Sequence, residues 1–436
     1  MHRPCPPARQ TARKTDRPLM RRLMAHLRSG DWLSPQRVTA YGIILLVTEC
    51  LITLFLALWQ HGVFRPVPSP PPSDFVSFYA AGKLALAGTP ALAYNHAAHW
   101  AAEQAATWST APYVYFYYPP IFLLLCAPLA ALPYFAAFAL FQVATLVPML
   151  LVMRAVLRAH GYGWLPPLLA FPAVFWTIAL GQDAFLTAAL FGGFTLLLDR
   201  RPAGAGVMLG LLSYKPHFGI LLPVALVAGR RWRTFVAAAI SVAALIGLSI
   251  AIFGWQTWAA YLHSFAGAGA IYQSGKVDFA GIDTPFGAAH LLAAGSAAAD
   301  AVQAVAALAM IGITALIWRR SASHPMRCAT LLAATLLAVP LALLYDKLIL
   351  LVAICWLVRA GEEQGWLPWE KLVLLAVWPA SVVSWPIGAG FRIPLGPLVT
   401  AAVLVLCLRR AWQAPSVRAV RTSPGPAMVH AAGARP

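Results

Sequence analysis

Apolar residues run along the chain in blocks of roughly 15–25, broken by short arginine-rich or proline-rich stretches. About 20 apolar residues cross a bilayer as a helix, so the pattern predicts an all-α polytopic membrane protein with about twelve transmembrane helices. The blocks fall at about 40–60, 134–157, 164–180, 183–198, 203–213, 216–228, 233–253, 299–318, 327–343, 344–358, 367–387 and 394–411. Between the first two lies a proline run, 66–72, which favours extended polyproline backbone. Ser73-Asp74 then opens an amphipathic segment with Phe75, Phe78 and Tyr79 on one side, and a second helical piece follows at about 95–108. The aromatic run Tyr113–Tyr118 ends in Pro119-Pro120, a density suited to the membrane–water interface. The stretch 121–132 is too short to span and suits an interfacial or re-entrant helix. Residues 61–133 therefore read as one large external loop carrying amphipathic helices, and 254–298 as a second.

The pair 203–213 and 216–228 is unusual, because neither half alone crosses a core about 30 Å thick at 1.5 Å per residue. Its turn, Ser213-Tyr214-Lys215-Pro216-His217, places Lys215 at or below the outer headgroup level. Irregular backbone at that depth survives only where protein or a wet cavity satisfies it.

Composition agrees with the pattern. Of 436 residues 60% are hydrophobic and only 11% charged, whereas a soluble domain is about 25% charged. A water-soluble enzyme is excluded. The net charge of +18 is a topology signal, since all but six of the 32 Lys and Arg residues lie in the tails or in the turns assigned to one side. The six are Arg65, Lys83, Lys215, Lys276, Lys347 and Arg392. Both termini are thus expected in the cytoplasm: 1–39 as a disordered basic tail, 40–411 as one transmembrane domain, and 412–436 as a second disordered tail. The basic turns suit anionic lipid headgroups, and no aromatic-interleaved basic module for nucleic acid is present. The six cysteines are scattered, with no metal, redox or disulfide spacing.

Six acidic residues fall on the outer side: Asp74, Glu103, Asp183, Asp278, Asp283 and Asp346. With Lys215, Lys276, Lys347 and Arg392 at the same level, that face suits chemistry on a lipid-linked anionic substrate. Asp74, after a proline run and before a helix, could be an N-cap, a general base, or both. Lys215 in a broken span points to phosphate binding, since intramembrane charges are costly and usually functional. Tyr345-Asp346-Lys347 reads equally as a structural ion pair or as part of the site. His96, His99 and Glu103 lie at helical spacing and suit either a metal or an exposed polar helix face. His217, His263 and His290 also belong to the outer side. Glu49 and Asp300 are expected to face the bundle.

Ser73-Asp74-Phe75-Val76-Ser77-Phe78-Tyr79-Ala80-Ala81-Gly82, followed by Gly88 and Tyr94, resembles the first-loop signature of glycosyltransferase family 87. Tyr118-Pro119-Pro120, Gly181-Gln182, Lys215-Pro216 and the Arg230–Arg233 cluster follow in the family's order. In the late outer turn the chain departs from the Ser-Pro…His-His pattern of many members, running from Val339-Pro340 to Tyr345-Asp346-Lys347. The resemblance implies a GT-C-like bundle in a plasma (inner) membrane, moving a hexose, mannose first, from a polyprenyl-phosphate donor to a lipid or glycan acceptor with inversion. Asp74 would be the base; Lys215, with Lys347 or Arg392, would stabilise the leaving phosphate; and Tyr79, Tyr118, Gln182, Asp346 and His217 would contact substrate. That scheme needs no metal or other cofactor. The competing classes are a multi-span transporter or flippase of lipid-linked sugar, which predicts repeated halves and midplane charges, and a non-catalytic scaffold.

Overall fold

The computed structural model describes residues 17–60, 73–107, 112–265, 277–320 and 322–413. The chain folds as helices α1 (Arg17–Ser29), α2 (Pro35–Gln60), α3 (Phe75–Leu86), α4 (His96–Thr107), α5 (Leu123–Ala130), α6 (Tyr134–Leu157), α7 (Leu165–Leu169), α8 (Pro172–Leu180), α9 (Ala184–Leu197), α10 (Pro202–Leu211), α11 (Leu222–Ala228), α12 (Trp232–Phe253), α13 (Trp255–Ser264), α14 (Pro285–Leu291), α15 (Ser296–Arg319), α16 (His324–Ala338), α17 (Leu348–Gln364), α18 (Glu370–Phe391) and α19 (Leu395–Gln413). The one β-like contact among the described residues pairs Ile282 with Leu343.

Among the described residues six helices are long and apolar enough to cross a membrane: α2 as far as Phe55, α6, α12, α15, α18 and α19. The other six apolar blocks form shorter or interrupted helices. The block at 164–180 breaks into α7 and α8 ahead of Pro172, which has no N–H to continue the ladder. Lys215 lies between two short 3₁₀ turns, Leu212–Tyr214 and Pro216–Gly219, so the irregular backbone falls where the two half-length blocks require it.

Helices α16 and α17 form the centre of the bundle and are buried along most of their length. Around them α2, α12 and α15 turn Leu, Ile and Val outward, as at Ile44, Leu51, Ile240, Ile252, Val305 and Leu308. Outward apolar side chains on membrane-length helices form a lipid-facing surface. On α10, Gly206 and Gly210 are four residues apart and let it pack directly on α12 at Ala237 and Ser241, a small-residue contact used between membrane helices.

Several local expectations change. Residues 17–29 form helix α1, so the first tail is structured from Arg17. Helix α3 is buried on every side from Phe75 to Gly82 rather than amphipathic, because α4, α5 and α6 enclose it. Asp300 is exposed on the second turn of α15 rather than facing the bundle. Glu49 does face the bundle. Residues 61–72, 266–276 and 414–436, with Arg65 and Lys276, lie outside the described residues.

Charged side chains gather at two ends of the bundle. Asp183 precedes α9 and Asp199 follows it, and a helix of 14 residues is about 21 Å long. Asp74, Asp283, Asp346, Lys215 and Lys347 share the Asp183 end; Arg158, Arg231, His324, Arg359, Glu363, Glu370 and Arg410 share the other.

Candidate active site

Asp74 occupies the N-cap position of α3 but makes no side-chain capping hydrogen bond. Its Oδ2 instead accepts from Gln182 Nε2 at 2.8 Å. Gly181 makes this possible. Its φ of +67° lies in the left-handed region, and a Cβ there would meet the Phe75 Cβ at 2.7 Å. Glycine alone turns the chain there without strain, bringing the α8–α9 turn down onto α3. From behind, Gln142 Nε2 donates to the Gln182 carbonyl at 3.3 Å. Burial raises the Asp74 carboxyl above its ordinary range, and the Gln182 hydrogen bond works against that rise.

A band of ion pairs runs on from Gln182. Asp183, at the N-cap of α9, also makes no capping bond; its Oδ1 lies 2.6 Å from Lys215 Nζ. Lys215 donates to Asp346 Oδ1 at 2.9 Å, and Asp346 Oδ2 accepts from the Leu343 N–H at 2.9 Å. The Tyr345 ring lies 5.2 Å from the ammonium. Lys347 pairs with Asp283 at 2.8 Å and donates to Ser384 Oγ at 3.1 Å. The backbone joins these halves, since Asp283 N–H donates to the Ala342 carbonyl at 2.8 Å. All five charged groups from Asp183 to Lys347 are at least 95% buried. Such charges persist only when paired and hydrogen-bonded.

Of the residues singled out in the sequence, Asp74, Gln182, Tyr118, Lys215, Asp346 and Lys347 come together. The Tyr118 hydroxyl lies 3.5 Å from Gln182 Oε1, and its ring stacks on Phe122 and Tyr214. His217 is half-buried beside Phe218, within electrostatic reach of Lys215 and Asp183. Tyr79 does not join the band; its hydroxyl donates to the Leu132 carbonyl and ties α3 to the end of α5. Arg392 is exposed at the end of α18 and makes no ion pair among the described residues. Asp183, Asp283, Ser384 and Tyr214 complete the cluster. The sequence placed both aspartates on the outer face, and the scarcity of acids was the available signal for giving them a role.

His99 and Glu103 are buried, which overturns the exposed polar face expected for them. His99 Nε2 lies 3.0 Å from the Ser77 carbonyl, its Nδ1 3.5 Å from Glu103 Oε1, and Glu103 Oε2 accepts from the Val114 N–H at 3.2 Å. His96 packs instead against Tyr113. Among the described residues no group of three His, Cys, Asp or Glu side chains is placed to hold a metal. Burial lowers His99 to about 4 and raises Glu103 to about 8, so both are neutral near pH 7. The pair braces α4 against α3, the helix that Asp74 begins.

A family model described as glycosyltransferase family 87 matches residues 116–344, just over half of the chain. The chain belongs to that family. The match includes Tyr118, Gln182, Asp183, Lys215 and Asp283, while Asp74 precedes it and Asp346 and Lys347 follow immediately. This member is therefore a membrane glycosyltransferase, acting on a sugar donor and an acceptor. No curated protein and no solved structure matches the chain.

Proposed function

We propose that the protein transfers a hexose, mannose in the first instance, from a polyprenyl-phosphate donor to a hydroxyl of a lipid or glycan acceptor, with inversion, in a GT-C-like fold. The reaction is assigned to the external face of a plasma (inner) membrane with both termini cytoplasmic, because the basic turns collect at the opposite end. The observation that carries the proposal is the Asp74 carboxylate, relieved of capping and held by Gln182 at the start of the ionic band.

Asp74 takes the acceptor proton as the acceptor oxygen attacks the anomeric carbon, and the bond from that carbon to the phosphate oxygen breaks. The leaving polyprenyl phosphate carries negative charge and needs electrostatic stabilisation. An ammonium has three N–H donors. Lys215 donates to Asp346 and pairs ionically with Asp183, and Lys347 donates to Ser384 and pairs ionically with Asp283. Each keeps one for a phosphate oxygen without giving up a buried partner. Arg392, at the surface, would act only on the approaching donor. Tyr118, Asp346 and His217 would border the sugar, and Tyr79 would hold α3 in place.

The test is sugar transfer by purified protein in lipid, using radiolabelled polyprenyl-phosphate mannose and a crude lipid acceptor extract, with Asp74→Asn beside wild type and the fold of both checked by melting. Transfer by wild type and none by folded Asp74→Asn supports the proposal. Equal transfer removes Asp74 from the chemistry, and no transfer with any polyprenyl-phosphate sugar removes the donor class.

A further inference from the structure

At the far end of the bundle, about 24 Å along α9 from Asp183 at 1.5 Å per residue, three turns meet. Asp199 is fully engaged there: Oδ1 pairs with Arg231 at 2.5 Å and Oδ2 with His324 Nδ1 at 2.7 Å. His324 Nε2 lies 3.0 Å from the Thr195 carbonyl. Arg327, one turn into α16, is left over. Its Nε is buried with no hydrogen-bond partner, and among the described residues the guanidinium makes no ion pair, resting 6.0 Å from the Trp318 ring. The charges of both Arg231 and Asp199 reach it. A desolvated cation beside a second cation, with the nearest carboxylate already taken, is an unbalanced arrangement.

Two further polar groups lie on the same line. Ser323 occupies the N-cap of α16 yet makes no capping bond, and its Oγ is buried without a partner. Thr330 is fully buried and its Oγ1 is also unpartnered. Ser323, Arg327 and Thr330 fall at i, i+4 and i+7, on one face of the helix. The first turn of this 15-residue helix therefore keeps uncapped N–H groups beside an unpaired guanidinium, a combination that attracts oxyanions.

We propose that Arg327, with Arg231, Ser323 and the first turn of α16, forms a phosphate-binding site separate from the sugar-transfer site. The phosphate supplies the anion that Arg327 lacks, and its planar donor fork suits two phosphate oxygens. Of the other buried or paired acids near this end, Glu363 is committed to Arg158 and Arg359 and Glu370 to Arg410. Two sources present the same chemistry: the headgroup of an anionic phospholipid in the adjacent leaflet, or a free phosphate.

The full-length protein is placed in nanodiscs of phosphatidylcholine alone or with phosphatidylglycerol, and melted with and without inorganic phosphate. A headgroup site gives a higher Tm with phosphatidylglycerol and little response to inorganic phosphate; a free-phosphate site gives the reverse. In either case Arg327→Gln loses most of the gain, while Arg320→Gln, at an exposed arginine of the same turn, keeps it. No gain from either anion in wild type, or an equal gain in Arg327→Gln, overturns the proposal. Should Arg327→Gln not fold, titration of folded Ser323→Ala decides: weaker anion stabilisation than wild type supports the site, and an unchanged titration overturns it.

Discussion

Replacing Lys215 with methionine keeps the length of the side chain and removes the cation shared by Asp183 and Asp346. Both carboxylates are more than 95% buried and lie 2.6 and 2.9 Å from the ammonium. Removing one partner of a buried ion pair costs about 3–5 kcal/mol, because the other charge stays desolvated. Asp346 retains the Leu343 N–H, which favours the lower half of that range. At about 2 °C per kcal/mol, suited to a large chain, Lys215→Met should lower the Tm by roughly 6–8 °C. Asp183→Asn should cost less, since Lys215 then faces Asp346 one to one. The double variant Lys215→Met/Asp183→Asn should melt above the value expected from adding the two losses, since neighbours in one ionic network couple by about 0.5–3 kcal/mol. The assay is thermal melting of purified protein in one detergent at one scan rate, since membrane proteins often unfold irreversibly. A Lys215→Met protein melting within about 2 °C of wild type, or strictly additive losses, would refute the claim that this lysine neutralises both aspartates.

Other outcomes follow from the same geometry. Gln182→Ala removes the hydrogen bond that holds the Asp74 carboxyl down, so the acid limb of the transfer rate should move to higher pH; an unmoved limb separates Gln182 from Asp74. Gly181→Ala combines a left-handed backbone with a Cβ contact at 2.7 Å, and should cost about 1–2 kcal/mol or more in melting experiments. Glu103 binds its proton more tightly folded than unfolded, so its contribution is complete below about 4.5 and is lost as pH rises to about 8. His99 behaves in the opposite sense, its contribution falling as pH drops from about 6.5 towards 4. Stability should therefore decline between pH 6.5 and 8 in wild type and stay level in Glu103→Gln, as read from Tm against pH. The site sets four carboxylates against two ammoniums, so donor affinity should rest on the prenyl tail, at about 0.8 kcal/mol per buried methylene. KM should accordingly rise steeply as the tail is shortened and change little with salt.

The bundle was legible because its signals are local. A 24-residue apolar block such as 134–157 specifies its own hydrogen bonds and its own lipid-facing surface, and it appears with those limits. Charge position was readable in part: the arginines of the turns gather at one end and Asp74, Asp183, Asp283 and Asp346 at the other, while Asp199, Glu363 and Glu370 sit among the arginines. The broken hairpin around Lys215 was legible by arithmetic, since two pieces too short to cross must meet at depth.

Pairing was not legible, because it depends on contacts between distant segments. Lys215 and Asp346 are 131 residues apart, and nothing in either neighbourhood names the other. Lys215, Lys347 and Arg392 looked alike in the sequence as outer cations for a phosphate. Folding distinguishes them. Lys215 takes two carboxylates, Lys347 takes one carboxylate and a hydroxyl, and Arg392 stays exposed at the end of α18. The same holds for Asp74, where the local pattern allowed a cap or a base. A cap needs only its own helix, but the Gln182 contact needs Gly181 to turn the α8–α9 connection onto α3. With the carboxylate turned away from the helix N-terminus, the energetic reason for an aspartate there shifts from local capping to the cluster it borders. That contact, made across 108 residues, is what turns an ordinary N-cap signal into the strongest candidate for the catalytic base.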